Sequence, residues 1–217
     1  MSHNTSMTEG LLPLFPLETV LLPGQRMALH IFEERDKEMI GECLTRGRAF
    51  GIVRAQGRGI ARRGCSAAVE TVLKRYDDGR MDIMAIGEQR FEILELNDER
   101  SFLQARVRWF EDEPGTMAPQ RLAAEAAAAW AELSRLKGVG EETPDAGDPQ
   151  ASYRMAQISD DLDFRQMLLE LRSDAERMEL LLEQMRKEAR NERVRQAMKK
   201  VARSNGHGKH LSGADLG

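Results

Sequence analysis

Leu12–Met39 reads LPLFPLETVLLPGQRMALHIFEERDKEM. Two apolar runs are cut by Pro13, Pro16 and Pro23, and a short β-like segment then turns at once into a charged, helix-like one. Proline has no amide proton to give to a sheet ladder. Leu14–Leu17 and Glu18–Leu22 are therefore expected as short strands or extended pieces at a sheet edge or bend. Pro23-Gly24 marks a turn, and Arg26–Phe32 is expected as a strand. Across Glu33–Arg46 the period changes. Met39 with Cys43, and Ile40 with Leu44, fall at helical spacing with charges on the other face, and Gly47 suits a helix C-cap. Met1–Gln25 contains no Lys or Arg and its apolar run is broken, unlike a secretory signal. No run of about 18 apolar residues is present to cross a membrane. The apolar leader is expected to bury its side chains inside the protein.

The 217 residues suit one large domain or two small ones. A net charge of −4 selects no particular partner and demands neither nucleic acid nor an anionic membrane. Cys43 and Cys65 are the only cysteines, too few and too far apart for a disulfide framework or a zinc site. Two reduced, buried thiols fit a reducing compartment, so a cytoplasmic protein is expected.

Beyond the leader the first half is β-rich. Ala49–Arg54 is a short apolar strand, and Gln56–Gly64 (QGRGIARRG) a glycine- and arginine-rich loop. Ala68–Tyr76 and Arg80–Gly87 flank Asp77-Asp78-Gly79, a hairpin signal, because glycine accepts positive φ in the turn. Gln89–Leu96 follows as a further strand. Leu103–Trp109 alternates, with Leu103, Ala105, Val107 and Trp109 on one face and Gln104, Arg106 and Arg108 on the other, as a half-buried antiparallel strand does. Composition shifts at Glu111–Pro119, and after it nothing reads as a strand. Gln120–Lys137 is a helix of high propensity, and Gly138–Gln150 a loop. Leu162–Leu171 is a short helix with Phe164, Met167, Leu168 and Leu171 on one face, and Ser173 with Glu176 forms a capping box for a last helix. That helix changes phase. Met178, Leu181, Leu182, Met185 and Ala189 make one stripe, and Val194, Ala197, Met198 and Val201 make another on roughly the opposite side. Either the helix bends near Asn191 or its end docks elsewhere, a second subunit included. The expected organisation is a flexible N-terminus over residues 1–10, a β-rich body over 11–113, a helical subdomain over 118–203 and a disordered tail over 204–217.

Pro13-Leu14-Phe15-Pro16-Leu17, Leu22-Pro23-Gly24, then Leu29-His30-Ile31-Phe32-Glu33 with Arg35 and Met39, resembles the N-terminal substrate-binding domain of the Lon ATP-dependent protease. The resemblance continues through Phe50-Gly51-Ile52-Val53, Asp78-Gly79-Arg80, Gly87 with Arg90-Phe91, and the Phe164–Met185 region with Arg177. Asp36 and Gly64-Cys65-Ser66-Ala67 depart from the usual pattern. The resemblance implies an α+β fold: a PUA-like β pseudo-barrel with one early helix, followed by a C-terminal helical bundle. It also implies binding of unfolded or degron-bearing polypeptides, and an adaptor or regulatory role beside a partner protease or ATPase. No G-x-x-x-x-G-K-[ST] motif occurs in the chain, and Gly208-Lys209 is followed by His210. The chain alone is expected neither to hydrolyse ATP nor to cut peptides.

Candidate chemistry is thin. His30 and Glu33, at a strand-to-helix junction, have the residue types of an acid–base pair, but a satisfied polar contact and a charge near a helix start account for them better. Asp77, Asp78 and Glu70 suit a hairpin turn better than a metal, and His207-x-x-His210 supplies only two ligands. Arg58, Arg62 and Arg63 have the charge to cradle phosphate or an acidic peptide. No catalytic residue, cofactor or metal site is assigned. The binding candidates are His30, Glu33, Arg35, Arg58, Arg62 and Arg63. Arg186–Arg203 carries eight basic residues against two acidic ones. PUA-like barrels are associated with RNA, so an RNA- or DNA-binding protein using this helix is the alternative. The segment has no aromatic residue to stack on bases, and positive charge late in a helix also offsets the macrodipole.

Overall fold

Phe91 is fully buried, and two glycines make room for it: a Cβ built on Gly51 or Gly64 would lie 2.6 or 2.8 Å from its ring. The strands around it close on themselves in the computed structural model, which describes residues 10–57, 59–140 and 142–206. The strands are β1 (Leu12–Leu17), β2 (Arg26–Ile31), β3 (Phe50–Gln56), β4 (Gly59–Ile60), β5 (Arg63–Arg75), β6 (Met81–Asn97) and β7 (Gln104–Phe110). β1 pairs parallel with β3 and antiparallel with β7. β7 pairs with β6, β6 with β5, and β5 with β3, all antiparallel, so the ring closes. Leu12, Leu14, Val53, Phe91, Ile93 and Ala105 pack together, with Leu103, Val107 and Trp109 against them. The alternation read in Leu103–Trp109 thus faces this small core. The α+β pseudo-barrel implied by the sequence is the observed architecture.

Some boundaries differ. The expected strands Arg80–Gly87 and Gln89–Leu96 are one strand, β6, long enough to pair with β5 and β2 at one end and with β7 at the other. Glu18–Leu22 is not a strand. It crosses the body with Val20, Leu21 and Leu22 buried, each burial stabilising by about 1.5–3 kcal/mol. The Pro23-Gly24 turn is fastened to β6, where Gly24 N donates to Gly87 O and Gly87 N to Gln25 O, both at 2.8 Å. Gly87 has to be glycine, because a Cβ there would lie 2.3 Å from Leu22 O. The expected Gln56–Gly64 loop holds the two-residue strand β4.

Helix α1 (Glu34–Arg46) follows β2 and buries Met39, Ile40 and Cys43. It stops at Gly47, which adopts φ 58°. Helices α2 (Gln120–Lys137), α3 (Ala151–Ala156), α4 (Leu162–Glu170) and α5 (Asp174–Gly206) form the second half. α3 was not anticipated, because its six residues are too few for a period to show. In α4 the buried residues are Arg165, Gln166, Leu168 and Leu169, while Met167 is exposed. The expected apolar face is rotated because Arg165 and Gln166 are drawn inward by hydrogen bonds. Asp161 caps α4 by accepting from Asp163 N and Phe164 N, and Ser173 Oγ accepts from Glu176 N at the start of α5. α5 is one continuous helix. Its first stripe is buried, and Val194, Met198 and Val201 on the second are exposed. Residues 1–9 and 207–217, expected as flexible ends, lie outside the described residues, whereas Ser204–Gly206, expected as disordered tail, continue α5.

The main apolar cluster joins Ile31, Met39, Phe50, Ile83 and Ala85 of the β half to Trp130, Leu133, Met155, Leu168 and Leu181 of the helical half. Polar links reinforce it. Arg165 of α4 donates to Val20 O and Gln25 Oε1, both at 2.7 Å, and so holds the leader. Arg177 of α5, 1% exposed, lies 4.3 Å from the Tyr153 ring and donates to Asp112, to Leu171 O and to Ser152 Oγ. Arg90 of β6 reaches the same Asp112 at 2.6 Å and Leu169 O at 3.0 Å. Cys43 and Cys65 are free and buried, and burial pushes their thiols up to about 11 and about 12.

Candidate functional site

His30 lies on the outward face of β2, opposite Asp82 of β6, which in turn faces Lys74 of β5. The inward neighbours Ile31, Met81 and Ile83 are core residues, so strand alternation alone turns His30 and Asp82 toward solvent. His30 Nδ1 is 2.6 Å from Asp82 Oδ1, and Tyr76 Oη donates to Asp82 Oδ2 at 2.8 Å. An ionised carboxylate only accepts, so Nδ1 carries the proton. The hydrogen bond from His30, and then that from Tyr76, hold the Asp82 carboxyl below its usual range. Phe32 is stacked on His30 at 5.8 Å between ring centroids, and Tyr76 stands edge-on to it at 6.0 Å. Lys74 and Arg80 lie over the Tyr76 ring. Phe32 is 56% exposed, a large apolar ring held out to solvent at the end of a strand.

The structure therefore separates His30 from Glu33. His30 pairs with Asp82, while Glu33 pairs with Arg35 at 2.8 Å beside the start of α1. Asp36, one residue on, is buried there, and burial, then the neighbouring Glu33, raises its carboxyl. Arg62 and Arg63 do not form an open cradle. Both approach Glu92, at 3.2 and 3.9 Å, and Arg108 pairs with it too. Arg63 also donates to Glu170 O and lies 5.3 Å from the Phe110 ring, as part of the contact between β5 and α4. Arg58 lies outside the described residues. Asp82 and Tyr76 were missed in the sequence. The Asp-Asp-Gly hairpin sets Asp82 opposite Lys74 and leaves Tyr76 just past the end of β5, and that hairpin register was the signal for Asp82.

Two grooves between the β body and the helices are polar. One of about 530 Å³ is lined by Glu18, Arg54, Gln56 and Asp163, with an Arg54–Asp163 ion pair at 2.6 Å. Another, of about 590 Å³, is lined by Gln25, Trp130, Lys137, Asp160, Glu192 and Arg195. The exposed apolar surface with a built geometry is instead the His30–Phe32–Tyr76 corner. It borders β2, whose only strand partner among the described residues is β6. Among those residues no group of three His, Cys, Asp or Glu side chains is placed to hold a metal, and no helix is long and apolar enough to cross a membrane.

A family model described as the ATP-dependent protease La (LON) substrate-binding domain matches residues 11–187. The crystal structure of a Lon N-terminal domain protein from Xanthomonas campestris is similar with a TM-score of 0.63 and 25% identity, over 80% of this chain and 97% of that one. The N-terminal domain of the Mycobacterium avium complex Lon protease shares the fold, with a TM-score of 0.53 and 17% identity over 81% of this chain and 98% of that one. Protein cereblon of Xenopus tropicalis is 29% identical over 104 residues, which are 45% of this chain and 23% of cereblon. The chain thus matches less than a quarter of that relative's length.

Proposed function

The chain belongs to the ATP-dependent protease La (LON) substrate-binding domain family, and from that premise we propose that it is a non-catalytic module that binds polypeptides in unfolded or degron-bearing form. It acts as an adaptor or regulator beside a separate ATPase or protease. Cytoplasm is the proposed location, in keeping with two free buried thiols.

The observation that carries the reading is the edge of β2 with its aromatic corner. An extended segment can add to an open strand edge through main-chain hydrogen bonds, which are indifferent to sequence. Side-chain contacts then supply preference. Here those contacts are Phe32 and the His30 ring for an apolar or aromatic residue, with Lys74 and Arg80 beside them for an acidic one. His30, Asp82 and Tyr76 position each other and need no reaction to explain them.

The test is binding of a permanently unfolded, reduced and alkylated model protein, followed by fluorescence anisotropy at low and high salt. Salt-tolerant binding that falls roughly tenfold in Phe32→Ser supports the reading, since a few exposed aromatic anchors carry most of an interface. Binding unaffected by Phe32→Ser sinks the proposed site. The nucleic-acid alternative predicts instead binding to random RNA that collapses as salt rises. Three of its arginines, Arg186, Arg193 and Arg195, are already paired with Glu125, Glu132 and Glu192.

A further inference from the structure

Helices α2 and α5 run parallel, held by ion pairs that repeat. Arg186 pairs with Glu125 and Arg193 with Glu132, each pair 61 residues apart in sequence, and Gln196 Nε2 then donates to Leu136 O at 2.8 Å. Between these pairs run the apolar side chains Ala126, Trp130 and Leu133 on α2 and Leu182, Met185 and Ala189 on α5. One side of α5 thus receives an amphipathic helix that turns two glutamates toward it, with apolar residues at the seam and Arg–Glu pairs at its rim. By the same offset α2 ends, at Lys137, level with Met198, while α5 continues to Gly206.

The opposite side of α5 has the same plan. Val194 and Met198 are 54% and 67% exposed, and Val201 is 59% exposed. Their spacing of four and then three residues is that of a coiled-coil seam, with Asn191 one heptad before Met198. A shallow groove of about 490 Å³ runs along Asn191, Val194, Arg195, Met198, Lys199 and Ala202. At 100° per residue Arg190 falls on one flank of the stripe and Arg195 with Lys199 on the other. Arg195 has an in-helix partner, Glu192 at 3.3 Å, whereas Arg190 and Lys199 have no acidic partner among the described residues. A seam with basic flanks repels a second copy of itself and attracts an acidic one.

We propose that this second face of α5 docks an acidic amphipathic helix of a partner protein, occupying the side opposite α2 as α2 occupies its own. The inference stands apart from the β2 reading, since the two surfaces lie on different elements.

The probe is a synthetic helix of several heptads with leucine at a and d and glutamate at e and g. Its own charges keep it from pairing with itself. The control carries lysine at e and g. The expected result with the full chain is binding of the acidic probe alone. Met198→Glu, and separately the double variant Arg190→Glu with Arg195→Glu, each weaken it by roughly tenfold or more, while Phe32→Ser leaves it unchanged. All four altered side chains are exposed, and circular dichroism verifies that the variants fold. Equal binding of both probes overturns the proposal. So does self-association of the full chain that Met198→Glu abolishes, which identifies a second copy as the occupant. So too does binding of poly-uridylate that the acidic probe does not displace and that only the arginine variant loses.

Discussion

Asp112 accepts from two buried arginines on different elements, Arg90 of β6 and Arg177 of α5. Burial works against its charge, but the hydrogen bonds and charge of Arg177, then of Arg90, win and hold its carboxyl below the usual range. A depressed carboxylate contributes stability that is present above the unfolded pKa of about 3.9 and lost as pH falls through the lower folded value. Asp112→Asn is expected to cost about 3–5 kcal/mol in urea titrations at neutral pH, because it removes the carboxylate shared by two buried guanidinium groups. Among the described residues Arg177 then keeps only the Asp174 carboxylate, at 3.4 Å, and Arg90 keeps none. Its stability should also depend less on pH below about 4 than that of the parent. Asp36 has the opposite sign. Its raised carboxyl means that the charged form is penalised at neutral pH and that the penalty disappears in acid. Asp36→Asn is therefore expected to be more stable than the parent at pH 7, with a margin that shrinks as the pH is lowered toward the unfolded pKa. Equal margins at both ends would show that burial is not the cause. At Gly64 the constraint is steric. An added Cβ would lie 2.5 Å from Ile52 O and 2.8 Å from the Phe91 ring, so Gly64→Ala should destabilise by about 1–3 kcal/mol in the same titration.

Among the elements, α5 is the one whose halves differ most. Its first half is stabilised by burial against α2 and α3 and by the cap at Ser173, and its second half depends on helix propensity. Ser173→Ala removes the acceptor for Glu176 N and should cost about 1 kcal/mol of global stability. Amide exchange is expected to be slow at Leu181–Met185 and fast beyond Gln196, where α2 no longer lies alongside. Uniform protection along α5 would contradict this. The phase change in the apolar pattern was legible in the sequence, but not its meaning. Bend and second docking surface were equal options from the pattern alone, and the structure shows an unbroken helix with its second stripe exposed. α3 and the inward turn of Arg165 were not legible at all, because each depends on a hydrogen-bond partner far away in the chain.

At the scale of the whole molecule, one apolar cluster runs through both halves, and Arg90, Asp112, Arg165 and Arg177 cross between them. The β body and the helices should therefore unfold together. Tryptophan fluorescence, which reports Trp109 in the ring and Trp130 in α2, and far-ultraviolet circular dichroism are expected to give coincident urea transitions. Two separated transitions would mean that the halves at 11–113 and 118–203 are independent domains. Joining them places the polar grooves at the seam and leaves the aromatic corner of β2 and the far face of α5 among the exposed apolar surfaces.

The amino-acid sequence by itself determined the leader's burial, the hairpin at Asp77–Gly79, the change from strands to helices near Glu111 and the family, because each rests on local periodicity, on proline and glycine chemistry, or on an ordered motif. Only the tertiary structure decided that His30 answers to Asp82 and Tyr76 rather than Glu33, that Arg62 and Arg63 are tied to Glu92, and that the second stripe of α5 stays exposed. Those outcomes depend on strand register and on contacts between residues distant in the chain, and a side chain's sequence neighbours carry no record of which distant group will satisfy it.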